Sequence, residues 1–320
     1  MNPLSVAHRR LFRVAAWILV VALHPHGGAA AESGPDPEHT LVVEGVGRTY
    51  RVHVPSGYKA TVSVPLLLAF HGAGSNSGDM DYLTGLDKVA DGAGFLVVYP
   101  QGIDYRWHAG RETSSTGVQV DDLGFVHALL TRLESDYAVD KQRVYATGFS
   151  NGAFFSQRLA CVMAADFAAV ASVSGQMSRA LSLVCKPTRP ISMLLMHGTA
   201  DPIVPYDGGN MEGSRGNPLL SVAATAAFWE HADACPGGGG ASVNLPDASP
   251  GDGTHVRREA HAGCAAGTEV TLYTIKHGGH TWPDGPQYDQ VFIIGKVSRA
   301  LDASATIWEF LARHPLPAQP

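Results

Sequence analysis

The sequence predicts an α/β fold with a mostly parallel central sheet and helices on both faces. Three observations predict it. Short runs rich in Val, Ile, Leu and aromatic residues alternate with helical stretches; the runs are apolar at nearly every position, as in strands covered on both faces; and no internal repeat or linker to a second domain divides the 320 residues. Composition agrees, since a chain with 45% hydrophobic and 16% charged residues is not disordered. Its 36 glycines and 20 prolines show no period, which excludes collagen-like order and favours tight turns between short elements. Acidic residues outnumber basic ones by 29 to 23, a balance that makes nucleic acid an unsuitable partner.

Residues 1–31 have the form of an export leader. Arg9, Arg10 and Arg13 make a basic start, Val14 to Leu23 an apolar run, and Ala29, Ala30 and Ala31 a small-residue cleavage region. That run of ten residues is shorter than the roughly twenty a retained membrane helix needs, and His24, Pro25, His26 and Gly27 end it. The expectation is a secreted or periplasmic protein with no stable membrane anchor, exported by the general or the twin-arginine route. It comprises a signal peptide (1–31), a linker (32–39), one catalytic domain (40–314) and a short tail (315–320). Without the leader arginines, 20 basic residues face 29 acidic ones, a formal charge of −9. The four cysteines, Cys161, Cys185, Cys235 and Cys264, all follow the leader, so an oxidising compartment would give two disulfides from three possible pairings, with nearest-neighbour pairing preferred. None has CxxC spacing, so neither zinc nor redox chemistry is expected.

In chain order, Leu41 to Glu44 and Thr49 to Val54 read as an opening antiparallel pair. Val64 to Phe70, Phe95 to Tyr99, Val144 to Thr147, Ala168 to Val173, Ile191 to Met196 and Val270 to Ile275 read as buried strands. Asp122 to Tyr137 is the clearest helix, with Leu123, Val126, Leu130, Leu133 and Tyr137 on one face behind Asp121 as N-cap. Ala303 to Arg313 is the last, stopped by His314 and Pro315. The loosest segments are the Gly-rich excursions Asp207 to Asn217 and Pro236 to His261, and the latter leaves open whether residues 236–262 form a lid.

The chemistry starts where the strand Val144 to Thr147 runs into Gly148, Phe149, Ser150, Asn151 and Gly152, followed by a helix over Ala153 to Cys161. Strand, G-x-S-x-G and helix together raise a serine hydroxyl above the sheet edge on a strained turn, at the positive end of a helix dipole. A serine alcohol needs a base, and the base needs a carboxylate to orient it. Asp201 follows the strand ending at Met196, and His280 follows the one ending at Ile275. The order Ser150, Asp201, His280 is that of an α/β-hydrolase triad. His71, Gly72, Ala73 and Gly74 end an earlier strand, so the amides of Ala73 and Asn151 are the expected oxyanion donors. His71 and His197 precede their loops rather than reach over them and read as packing residues. Trp229 and Trp308 lie in helices and read as core. Trp107 and Trp282 lie in polar, Gly- or Pro-flanked loops and read as a substrate wall. No metal or organic cofactor is required.

The motifs HGAGSN (71–76), YPQG (99–102), VDDLGF (120–125), GFSNGA (148–153), HGTADPIVPY (197–206), GGHTWP (278–283) and IWEF (307–310) together make the chain resemble the poly(3-hydroxybutyrate) depolymerase and feruloyl esterase family of exported α/β-hydrolases. The resemblance spans about Thr40 to His314, and His277 departs from it where a small residue would precede GGH. It implies Ser150, Asp201 and His280 as triad, Trp107 and Trp282 along the acyl or aromatic pocket, and pairing of Cys235 with Cys264 and of Cys161 with Cys185. The expected function is serine carboxylic ester hydrolysis through an acyl-enzyme, on hydroxyalkanoate oligomers or short acyl esters. Feruloyl or acetyl-xylan esters of plant polysaccharide are the second expectation. A secreted binding protein on a silent hydrolase scaffold is the alternative of another class.

Overall fold

The chain opens with an antiparallel pair, β1 (Glu38–Val43) and β2 (Val46–His53). Glu44 and Gly45 turn it with positive φ at both residues, the backbone that a two-residue hairpin needs. Next come β3 (Val64–Phe70), α1 (Ser77–Thr84), α2 (Leu86–Ala93), β4 (Leu96–Pro100), α3 (Asp122–Asp136) and β5 (Val139–Phe149). α4 (Asn151–Val162), β6 (Ala169–Val173), α5 (Arg179–Val184), β7 (Ser192–Gly198) and α6 (Val222–Ala232) follow. β8 (Ala241–Asn244), β9 (His255–His261), β10 (Val270–Lys276), α7 (Val291–Ile294) and α8 (Ala303–Ala312) complete the order. This computed structural model describes residues 36–108, 120–211, 217–246 and 251–317; the leader and its export expectation lie outside them.

These strands form one sheet in the order β1-β2-β4-β3-β5-β6-β7-β10-β9-β8. From β4 to β10 every neighbouring pair is parallel, and the flanking pairs are antiparallel. Phe70 pairs with Gly148, Phe149 with Val173, Val173 with Met196, and Gly198 with Ile275. That register brings the carboxyl ends of five strands to one edge, where an open α/β sheet places its ligand site.

The uninterrupted apolar runs have the expected cause. Along β3, Leu66, Leu68 and Phe70 face a core that includes Phe125 and Leu129 of α3 and Phe155 of α4. Leu67 and Ala69 face a second core with Met80, Leu86, Ala90, Ile307 and Phe310. Each leucine so buried contributes about 1.5–3 kcal/mol relative to exposure. Asp121 caps α3 as its sequence position suggests, accepting the Gly124 amide.

The segment after Pro236 corrects the sequence reading. Rather than a Gly-rich excursion available as a lid, its described residues include β8 and β9, which pair with each other and extend the sheet beyond β10. The alternation that marks half-covered strands is weak there, since β8 is exposed at all four residues. Both disulfides take the nearest-neighbour pairing. Cys161–Cys185 ties the end of α4 to the end of α5, and Cys235–Cys264 ties the end of α6 to the approach to β10. With sequence separations of 24 and 29 residues, each restricts the unfolded chain by about 3 kcal/mol in the chain-entropy account.

At the end of β2, His53 lies between Asp36, just ahead of β1, and Asp87 and Asp91 of α2, at 3.3 to 3.4 Å. Burial alone would lower the imidazole pKa, but the Asp36 hydrogen bond and the surrounding carboxylates outweigh it and push it up to about 9. Asp36, His53 and Asp87 also have the spacing of a metal-ligand group, but a protonated His53 already supplies the cation that these carboxylates need. The raised imidazole pKa gives a stability contribution that is fully present below pH 6.5 and lost as pH rises through about 9. Burial pushes Asp87 up to about 7, which acts in the same direction over a lower pH range. The melting temperature should therefore fall between neutral pH and about pH 9, more steeply in the native chain than in His53→Gln. Equal slopes in a thermal-unfolding series would remove this account.

Candidate active site

Ser150 joins β5 to α4 with φ 55° and ψ −114°, a backbone that a side chain adopts only when its surroundings enforce it. They do so by crowding. A β-carbon on Gly152 would overlap the Phe70 carbonyl oxygen of β3, and one on Gly148 would overlap the Gly152 backbone. The serine amide donates to the Val173 carbonyl at 2.9 Å, which pins the turn to the end of β6. Sequence placed Ser150 at a strand-to-helix turn, and it stands there.

Asp201 and His280, 79 residues apart, meet at 2.8 Å between Oδ2 and Nδ1. Both are buried, and the other carboxylate oxygen accepts the amides of Ile203 and Val204 at 2.9 and 2.8 Å. The carboxylate is thus held from two sides, and His280 Nδ1 must carry the hydrogen. The imidazole packs on Phe149, the residue before the serine, with ring centroids 4.8 Å apart. No hydrogen bond among the described residues joins Ser150 to His280. Nδ1 is committed to the acid, which leaves Nε2 as the ring nitrogen that can serve a nearby alcohol. The ring's loop is fixed from behind, because the His280 amide donates to Ile294 of α7 and Tyr288 donates its hydroxyl hydrogen to the His280 carbonyl.

The turn after β3 is built around His71, which is fully buried. Its Nε2 accepts the Gly102 amide at 3.0 Å, so Nδ1 carries the hydrogen and donates to Gly72 at 2.7 Å. Burial lowers its pKa and keeps this neutral form. The Gly74 amide is taken by the Tyr105 carbonyl, whereas no hydrogen bond among the described residues takes the Ala73 amide. Asn151, first residue of α4, likewise has an amide with no acceptor within its helix. Its side chain has a role that the sequence did not disclose. Oδ1 accepts the Trp107 amide at 2.6 Å and Nδ2 donates to the Trp107 carbonyl at 3.0 Å, clamping the loop after β4 to the serine turn. A buried ion pair, Arg48 to Asp122 at 2.7 Å, holds the next residue of that loop, because Asp122 also accepts the His108 amide.

Trp107 and Trp282 do not line a substrate wall. They are 0% and 1% exposed. The Trp107 indole donates to the His71 carbonyl and stacks on Phe155, while that of Trp282 donates to Ser304 of α8. Their loops are polar, but the ring bodies plug the cores beneath the two halves of the site. Exposed apolar residues next to the His280 loop in the chain include Tyr288, which donates to the His280 carbonyl, and Val291, Phe292 and Ile293 of α7, whose Ile294 carbonyl receives the His280 amide; Phe292 is 78% exposed. An exposed apolar run of this kind has the same sequence signature as a buried one, so the pattern could not single it out.

A family model described as esterase PHB depolymerase matches residues 48–188, which take in the His71 turn and Ser150. The chain is 35% identical over 285 residues to the protein named "Putative esterase NocK" of Nocardia uniformis subsp. tsuyamanensis, covering 85% of this chain and 81% of that one. It is 33% identical over 191 residues to feruloyl esterase C of Emericella nidulans, covering 58% of this chain and 66% of that protein. Among solved structures it is similar in fold to an acetyl xylan esterase from Aspergillus awamori, with TM-score 0.56 and 13% identity over 86% of this chain and 99% of that one.

The clamp predicts a measurable loss. Asn151→Ala keeps the residue 151 amide but leaves the buried Trp107 amide and carbonyl without partners, at about 1–3 kcal/mol each. The urea midpoint should drop with the slope unchanged; a midpoint like that of the native chain would show the clamp to be dispensable.

Proposed function

The chain belongs to the poly(3-hydroxybutyrate) depolymerase and feruloyl esterase family and is a carboxylic ester hydrolase, and from that premise we propose that Ser150 is its nucleophile, His280 its general base and Asp201 the orienting acid. The observation that carries the assignment is the 2.8 Å pairing of Asp201 with His280 beside the strained turn of Ser150. In this reading the serine oxygen attacks the ester carbonyl as its proton passes to His280 Nε2. The resulting imidazolium is held by Asp201 through Nδ1. The developing oxyanion takes the amides of Ala73 and Asn151, each worth about 2.7–4 kcal/mol in comparable sites. Collapse breaks the ester C–O bond, His280 protonates the departing alcohol, and the same ring then activates water to release the acid and restore the serine. Catalytic hydrogen bonds commonly reach their working length only with substrate bound, so the pairing of His280 Nε2 with the serine hydroxyl is assigned to the substrate complex.

The substrates we assign are esters with an apolar acyl part, hydroxyalkanoate oligomers or short acyl esters, because Tyr288 and helix α7, which carry exposed apolar side chains, are bonded to the His280 loop. Feruloyl esters are the second reading, favoured by the relatives named feruloyl esterase. We also read residues 1–31 as an export signal and 40–314 as the catalytic domain. Two disulfides fit an oxidising compartment, and no helix among the described residues is long and apolar enough to cross a membrane.

Ser150→Ala should lower kcat on a soluble short-chain ester by about 10⁴ to 10⁶ with the fold intact, and an organophosphonate should label Ser150 covalently. A variant retaining turnover within about tenfold of the native rate would end the serine assignment. A panel of matched soluble esters orders the substrates: faster release of ferulate than of hydroxybutyrate would make the second reading the first.

A further inference from the structure

His197 is buried at the end of β7, and nothing in the mechanism above uses it. Its Nε2 lies 3.0 Å from Gln176 Oε1 and 3.9 Å from Asp201 Oδ2, the same oxygen that receives His280. Gln176, also buried, donates its amide hydrogen to the Pro205 carbonyl at 2.6 Å. A proline carbonyl can only accept, so the Gln176 amide is oriented with Oε1 toward His197, whose Nε2 must carry a hydrogen. The chain His197, Gln176, Pro205 therefore spans the loop that presents Asp201, bracing it from β7 on one side and from the segment after β6 on the other.

The groups facing the His197 ring are Asp201, His280 and the edge-on ring of Tyr206, 5.8 Å away, and its Nδ1 lies 3.1 Å from the Gly198 carbonyl. Asp201 and that carbonyl favour a second proton on the ring. Burial opposes it and prevails, holding the pKa below the ordinary histidine value. A neutral ring uses its single N–H on Gln176 and does not compete with His280 for the carboxylate. Three of the acceptor positions of Asp201 are filled, by His280 and the two loop amides. The remaining side is the one closed by His197.

We propose that His197, acting with Gln176, is a positioning residue that fixes Asp201 against His280, so that the acid's charge is directed at the base. The inference rests on the triad assignment. Loosening this brace weakens the Asp201–His280 bond in the imidazolium state, which lowers the pKa of the base and the rate of proton transfer while leaving ester binding alone.

The test is steady-state kinetics from acid to neutral pH on a soluble p-nitrophenyl ester, with active enzyme counted by organophosphonate titration. His197→Met should lower kcat per titrated site by tenfold or more with KM within twofold, and move the acid limb of kcat/KM to lower pH. His197→Gln, whose amide can donate to Gln176 from nearly the same place, should recover most of the rate and return the acid limb. A native rate and acid limb in His197→Met would overturn the proposal, as would a loss seen only as fewer titratable sites. If His197→Met does not fold, Gln176→Met removes the same brace from the other end and is read by the same criteria. Failure of the native enzyme to titrate with the phosphonate would instead sink the serine assignment, so the two failures are distinguishable.

Discussion

The backbone of Phe70 and that of Gly152 pass so close that no side chain fits between them, and the site's geometry follows from this approach. Because β3 and α4 meet there, the chain between β5 and α4 has no room for an extended turn. Ser150 is forced to positive φ, with its amide captured by β6. The same approach brings the turn after β3, whose Ala73 amide meets no acceptor among the described residues, alongside the first turn of α4. The proposed nucleophile and the proposed oxyanion donors thus share one cause: parallel strands in fixed register whose ends leave no slack. The strain at Ser150, of order 1–3 kcal/mol, is set against the burial of whole strands on both faces of the sheet.

Around that centre lie buried polar groups with assigned partners, and they act on loops rather than on chemistry. His71 holds the turn after β3, Asn151 holds the Trp107 loop, Asp122 holds His108, and Gln176 spans from His197 to the Asp201 loop. Each bond is worth little net, but leaving any partner unpaired in the interior costs more than the bond contributes. The result is specification. A loop displaced by an ångström or more would orphan buried groups, which fixes the loops around Asp201 and around the Ala73 turn in one arrangement. The Arg48–Asp122 pair belongs to the same class: a buried ion pair adds little stability over an apolar substitute, yet removing one partner leaves an unmatched charge.

The indoles expected to meet substrate are sealed in the two cores, and the exposed apolar residues next to the His280 loop in the chain include those of the short helix α7 and Tyr288. Large rings near a site serve best as rigid plugs when their N–H groups find buried acceptors, as both do here. Smaller turns carried on the His280 loop are free to present side chains outward. At the far edge of the sheet, β8 and β9 occupy chain that a composition reading leaves as a possible lid. An exposed edge strand needs few apolar residues, so its sequence looks like a loop.

The sequence by itself determined the alternation of buried strands and helices, the strand-serine-helix turn and the order of the three candidate catalytic residues, while for the cysteines it left three pairings open and the structure chose between them. What it determined is written in local patterns: apolar runs, small residues at a tight turn, spacing along the chain. Only the tertiary structure decided that Asp201 and His280 touch, that Asn151 clamps Trp107, that His197 backs the acid, and which aromatic rings are buried. Those facts depend on which residues distant in the chain become neighbours. A polar or aromatic side chain has the same local signature whether its partner is solvent, substrate or a carbonyl a hundred residues away.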